Sequence, residues 1–378
     1  MKTALKLLAA GLVASVAMSA RAELTIGVVL SLTGPASGLG IPVNNGFKLW
    51  PDTIGGEKVK MVVLDDATDP STGVKNARRL VTDEKVDVIL GSSTTPISVA
   101  MAEVAAESGT LQIALSPPPL PPGKDTWTFR MAHSATVIAH PMVAHMKKQG
   151  VKTVGFLGYI DAYGESWLKE FGAVAEAAGL KITTVERFQR TDTSVTGQAL
   201  KLVAANPDAI LVVASGSGAA MPHRALVERG YKGKIYQTHA AASRDLMRVG
   251  GKDVEGGYVV SGPATVAEQL PDSNPSKKAA LDYVQKYDKV YGAGMRNQFA
   301  AHSYDTLLVL QKVVPMALQK AKPGTKEFRA ALRDAMENFG PLPISQGVMN
   351  FTKTDHWGYT KDSAVVLKVV NGDWEVQQ

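Results

Sequence analysis

The sequence contains no cysteine, which removes a disulfide framework, a thiolate metal site, a cysteine nucleophile and lipid attachment through an N-terminal cysteine. Aromatic residues are scarce at 6%, and no Lys/Arg cluster alternates with them as on a nucleic-acid surface, so nucleic acid is not an expected partner. Beyond the N-terminus no unbroken apolar run reaches bilayer-spanning length. Catalytic signatures are missing as well: there is no Gly-Lys-Ser/Thr phosphate loop, no G-x-S-x-G elbow and no HExxH. Gly34, Gly38 and Gly40 follow a strand-like run without dinucleotide-binding spacing or a ribose-binding acid. His140 and His145 are five apart and so do not share a helix face for zinc. Asp65-Asp66-Ala67-Thr68-Asp69-Pro70 lacks the alternation, glycine and closing Glu of a calcium loop, and reads as a strand-end loop capping the next helix. No enzyme, cofactor or metal is expected.

What remains is an ordinary globular composition: 378 residues, 45% hydrophobic and 20% charged, long enough for two domains. Lys2 and Lys6 precede an apolar stretch from Leu7 to Ala20, which ends in Ala20-Arg21-Ala22. This is the pattern of a secretory signal peptide over residues 1–22, cleaved after Ala22, and predicts export. Losing Lys2, Lys6 and Arg21 with the leader lowers the net charge from +6 to +3.

From Leu24 onwards short apolar runs alternate with amphipathic stretches. Strands are expected near Thr25–Leu30, Val59–Leu64, Val86–Leu90 and Leu111–Leu115, and the alternation restarts after Met131 with strands near Thr153–Leu157, Ile182–Phe188, Ala209–Val213, Lys234–Gln237 and Tyr258–Ser261. Continuous apolar strands between helices mean parallel sheets covered on both faces, so the predicted fold class is α/β with two doubly wound parallel-sheet lobes. Ligands of such sheets sit outside the carboxyl ends of the strands. The candidate cleft loops are therefore Ser31–Gly40, Gly91–Pro96, Ser116–Gly123, Gly158–Glu165, Ala214–Gly218 and Thr238–Ser243. Two exported lobes without catalytic apparatus make a binding protein that closes by hinge motion, with crossovers near Met131–Ser134, Ser261–Pro263 and Phe351–Thr354.

Several segments recur in a familiar order: Ile26–Gly34 followed by Gly38-Leu39-Gly40, then Leu64–Pro70, Ser93-Thr94-Thr95-Pro96 and Ala162-Tyr163-Gly164-Glu165. With these the mature chain resembles, over essentially its whole length, the periplasmic leucine/isoleucine/valine-type binding proteins of ABC transporters. The resemblance implies a type I periplasmic binding fold, three hinge crossovers, a monomer, and delivery of a small-molecule ligand to an inner-membrane ABC permease. It implies one lobe from residues 23–132 plus 262–351 and the other from 133–261 plus 352–378.

The family holds a carboxylate on a serine-rich loop, matched here by Ser92, Ser93 and Thr94; Pro96 at the first helical position and free amides at a helix N-terminus suit that task, and simple capping of the helix by Thr94 or Thr95 is the less favoured alternative. Tyr163 matches a tyrosine that packs on the ligand from the second lobe. Elsewhere the chain departs from the pattern. The loop that takes an amino acid's ammonium commonly reads Thr-Pro-Ala-Ala-Thr, whereas here it is Ser116-Pro117-Pro118-Pro119-Leu120, so Pro118 and Leu120 face the ligand without the hydroxyl. The family's glutamate falls on His239, or on Thr238 with a one-residue shift. Bulky residues fall on Leu39 and Ser215, which opens space. A buried ammonium without its acceptors costs several kcal/mol. The expected ligand is thus an aromatic or bulky carboxylate lacking an α-amino group. Leucine, isoleucine, valine or an amide, and a ligand sensor of the same fold, are the alternatives. A hydrolase built on Ser93 and His239 lacks an orienting acid.

Overall fold

The computed structural model describes residues 23–377; the leader read over residues 1–22 lies outside the described residues. Six strands form the first sheet, in the order Thr53–Ile54, Glu57–Asp65, Leu24–Leu30, Val88–Gly91, Leu111–Ala114, Thr128–Arg130. Apart from the Thr53–Ile54 hairpin the pairings are parallel, with Leu24 opposite Val59 and Ile26 opposite Val88. The central strand Leu24–Leu30 is buried nearly throughout because helices cover both faces, which is why its sequence is apolar without alternation.

Seven strands form the second sheet, in the order Asp373–Gln377, Val365–Val370, Tyr258–Ser261, Lys234–Gln237, Ala209–Val213, Thr153–Tyr159, Lys181–Phe188. Its core is parallel, but the last two strands of the chain add to it antiparallel. The chain leaves the first sheet after Arg130 and enters the helix Ala135–Lys148; it leaves the second after Ser261 and returns to it at Val365. Between those points the long helix Gln298–Leu318 lies against the helix Ser37–Phe47 of the first lobe, with Trp50 Nε1 donating to the Ser303 carbonyl (3.1 Å). Their approach requires Gly46, since a Cβ there would collide with the Ser303 hydroxyl.

Helix starts are where residue chemistry places them. Asp69 accepts from the Thr72 amide (2.7 Å) ahead of Pro70–Thr82, and Asn297 accepts from Ala300 (3.0 Å) ahead of Gln298–Leu318. One apolar cluster runs continuously through both lobes, and a smaller one lies between the first sheet and the helices Pro70–Thr82 and Thr95–Ser108. Among the described residues no helix is long and apolar enough to cross a membrane.

Candidate functional site

Each sheet has a place where the direction of winding reverses, and the carboxyl ends there leave a crevice. In the first sheet it lies between Leu24–Leu30 and Val88–Gly91, and in the second between Thr153–Tyr159 and Ala209–Val213. The loops leaving these four strands face one another. Together with the first turns of their helices they wall a narrow cleft with a free volume of about 20 Å³.

From the first lobe come Leu39, Ser93, Thr94, Thr95, Ser116 and Pro117. Thr94 stands at the cap position of the helix Thr95–Ser108, yet its hydroxyl makes no capping bond and, buried, has no hydrogen-bond partner. It is therefore available to a ligand. Ser93 Oγ accepts from the Ser31 amide (3.2 Å), which ties this loop to the first strand's end. Leu39 reaches across: a Cβ added at Gly216, whose φ is +54°, would stand 3.1 Å from its Cδ1.

The second lobe contributes Tyr163, Arg190 and Ser215. Asp161 caps the helix Ala162–Ala177 by accepting from the Tyr163 (2.9 Å) and Gly164 amides, and Gly164 lets that turn close on the Tyr159 carbonyl. Its other oxygen accepts from Arg190 Nε (2.6 Å); Arg190 also donates to Ser215 Oγ (2.9 Å) and lies 4.1 Å over the Tyr159 ring. Tyr163 shares a hydrogen bond with Thr238 Oγ1 (2.7 Å), leaving its ring to the cleft, and burial pushes its hydroxyl far above the ordinary range. Thr94 and Arg190 also line a groove on the outer surface with Pro96, Ile160 and Asp161, so this end of the cleft faces outwards.

The opposite end lies at the hinge. His239 and His302 line it with Gln298 and Phe299. Behind them His133, in the first crossover, donates from Nε2 to the Gln346 carbonyl (2.9 Å), stacks on Tyr359 and lies 6.3 Å from His239, centroid to centroid. Burial drives all three imidazoles to the neutral form: His133 to about 4, His302 to about 3 and His239 well below the usual value.

Of the residues singled out in the sequence, Leu39, Ser93, Thr94, Tyr163, Ser215 and His239 are brought together around the cleft. Three stand off its wall. Ser92 turns its hydroxyl away to donate to the buried Asp66 carboxylate (2.6 Å), a partner that desolvation raises above the usual Asp range. The Pro118 carbonyl is held by Nε of the fully buried Arg130 (2.9 Å), which draws the loop away after Pro117 and leaves Pro118 and Leu120 outside the lining. Arg190, Gln298, Phe299 and His302 were not anticipated. Arg190 follows the strand Lys181–Phe188, so the strand-end rule applied to that loop also finds it. Gln298 and His302 share one face of a long helix at i, i+4 spacing and carry no strand-end signal.

The model of a family described as periplasmic binding protein matches residues 23–372. The chain belongs to this family. Its members are solute-binding proteins rather than a catalytic class, and the fold is that of the type I periplasmic binding proteins. A Leu/Ile/Val-binding protein of Rhizobium johnstonii, BraC3, is 26% identical over 364 residues, covering 93% of this chain and 94% of that one. Among solved structures, an extracellular ligand-binding receptor from Rhodopseudomonas palustris superposes with a TM-score of 0.93 at 49% identity, covering 95% of this chain and 100% of that one. A solute-binding protein of an R. palustris ABC transporter, solved in complex with benzoate, superposes at 0.80 with 18% identity over 94% of this chain and 95% of that one.

Proposed function

We propose that the chain is the periplasmic solute-binding component of a branched-chain-amino-acid-type ABC transporter, and that its ligand is an aromatic or otherwise bulky organic acid without an α-amino group. The observation that carries this is the charge of the cleft wall. Among the described residues lining it there is no Asp or Glu, and the one formal charge is the Arg190 guanidinium. An α-ammonium enclosed here would lose its hydration for several kcal/mol without a counter-charge, whereas a carboxylate meets Arg190 and the free Thr94 hydroxyl at the outward end. The apolar middle, with Leu39, Leu115, Ala132 and Phe299, suits a ring or hydrocarbon body. The benzoate-bound relative supports only the fold's capacity for such a ligand, at 18% identity.

In this reading the chain is exported with cleavage after Ala22, works as a monomer without a cofactor, and closes its lobes, 23–132 plus 262–351 and 133–261 plus 352–378, about the three crossovers before docking on an inner-membrane permease. Unfolding of the mature protein is measured with leucine, isoleucine, valine, benzoate and phenylpropanoid acids. A ligand at 100 times its Kd adds about 2.7 kcal/mol. Stabilisation by the acids and not by the amino acids is the expected result; stabilisation by leucine alone refutes the reading.

A further inference from the structure

The hinge end of the cleft holds hydrogen-bonding groups that the protein itself does not use. His302, 1% exposed, makes no well-formed hydrogen bond from either ring nitrogen, its closest backbone partner being Leu115, and His239, 2% exposed, has Nδ1 unbonded. The Gln298 amide nitrogen is also without a partner, although its Oε1 accepts from Ser261 Oγ (2.9 Å). All three residues line the cleft. Tyr163, by contrast, is paired with Thr238, and His133, which stands behind the wall, uses Nε2 for the Gln346 carbonyl and leaves only Nδ1 unbonded. A buried polar atom left unpaired costs about 1–3 kcal/mol, so several side by side in one cavity wall point to a ligand that completes them.

The kind of ligand group follows from what is on offer. A neutral imidazole carries one N–H donor and one acceptor nitrogen, and the Gln298 amide adds a further donor. Among the described residues no Asp, Glu, Lys or Arg lines this end, so a charged group placed here would be stripped of water without a counter-charge. A hydroxyl both gives and accepts a hydrogen bond and carries no charge. Resting on the organic-acid reading above, we propose that the hinge end of the cleft is a subsite for a hydroxyl of the ligand, remote from its carboxylate, with His302, His239 and Gln298 as the residues that select hydroxylated acids over their unsubstituted counterparts.

The test is calorimetry of the mature protein with matched pairs: benzoate against 4-hydroxybenzoate, and 3-phenylpropanoate against its 4-hydroxyphenyl counterpart, each in two buffers of different ionisation enthalpy. In at least one pair the hydroxylated acid is expected to bind about tenfold tighter or better, because a site built to bond a hydroxyl penalises its absence. No proton should be taken up. His302→Phe should weaken only the hydroxylated member and bring the pair to within about threefold; Gln298→Met is the second variant should the first fail to fold, with the same expectation. Three results overturn the subsite while leaving the organic-acid reading intact: unsubstituted acids binding as tightly in both pairs, both variants weakening each member of a pair equally, or uptake of about one proton per ligand, which would put the carboxylate against the histidines. Binding of leucine with no binding of any acid overturns both. Trp167, with its ring 5.9 Å from that of His239, gives a second readout through its fluorescence.

Discussion

Arg190→Gln is the substitution that bears most directly on the proposed chemistry. The guanidinium is 14% exposed, is held by Asp161 at 2.6 Å and lies against Tyr159, so it is presented to the cleft in a fixed pose and shielded from salt. A hydrogen bond from a cation of this kind to a carboxylate contributes about 1.5–3 kcal/mol, or about 10- to 150-fold in Kd. The variant also leaves the Asp161 carboxylate near the ligand without its counter-charge, which adds repulsion and puts the expected loss toward the upper part of that range. The fold should tolerate the change, because Asp161 still accepts from the Tyr163 and Gly164 amides. Asp161→Asn is the opposing control: asparagine caps a helix about as well as aspartate, and Arg190 is then unneutralised, so acid binding should hold or tighten. Calorimetric titration of both variants with whichever acid binds the parent protein decides the matter. Acid affinity within twofold of the parent in Arg190→Gln, or a larger loss in Asp161→Asn, would refute an anion-binding role for this residue.

Thr94→Val removes a buried hydroxyl that has no partner in the protein, so the unliganded form should melt at the same temperature or slightly higher while ligand affinity falls about 5- to 10-fold; a lower melting point would mean that the hydroxyl is used structurally. Gly216→Val places a side chain at φ +54° and against Leu39, and should cost about 1–2 kcal/mol of stability while weakening ligand binding more than tenfold by obstructing closure; unchanged affinity would show that Leu39 and Gly216 need not meet. On acidification the neutral buried imidazoles of His133, His223 and His302, lowered to about 4, 4 and 3, stay unprotonated in the native protein while the unfolded chain protonates below about pH 6.5, so their contribution is lost as pH falls toward 4. Asp305 opposes them. Burial pushes its carboxyl up to about 7, so its contribution is full below about pH 4 and is lost as pH rises through 7. His239, lowered well below its usual value, acts in the same direction as the other three, so near pH 5 the histidines outweigh the acid and stability falls toward acid. Asp305→Asn, which keeps an acceptor for the Ser345 amide, should therefore raise the melting temperature at pH 8 relative to the parent and not at pH 5; an equal change at both would refute a buried acidic carboxyl.

How much of this was legible in the sequence depended on whether a residue's role is local. The parallel strands announced themselves because a strand covered on both faces must be apolar at every position, as in Leu24–Leu30 and Ala209–Val213. The last strand did not: Asp373–Gln377 is an edge strand whose apolar content is low, and only its partner Val365–Val370 gives it a place. Strand ends led to the loops that carry Ser93, Thr94, Tyr163, Ser215 and His239 through the rule that ligands gather at carboxyl ends, and the family resemblance picked those residues out of the loops. The same rule could not say which way a side chain turns. Ser92 and Pro118 sit on the expected loops, yet Asp66 and Arg130, distant in sequence, draw the first one's hydroxyl and the second one's carbonyl out of the cleft.

The residues that sequence reasoning missed bear on specificity. The loops aligned on the family lack the residues expected to take the ammonium, which argues against a class of ligand without naming one. Arg190 and the unbonded nitrogens of His239, His302 and Gln298 are positive features: one cation at the outward end, neutral donors and acceptors at the hinge end, apolar walls between. A ligand that satisfies both ends also couples the lobes, because Thr94 and His302 belong to elements of the first lobe while Arg190 and His239 follow strands of the second. Discrimination and closure then draw on the same contacts. A ligand missing either end should bind weakly and also leave the lobes less closed, which small-angle scattering of the protein with matched acids can read as a larger radius for the complex with the unsubstituted acid.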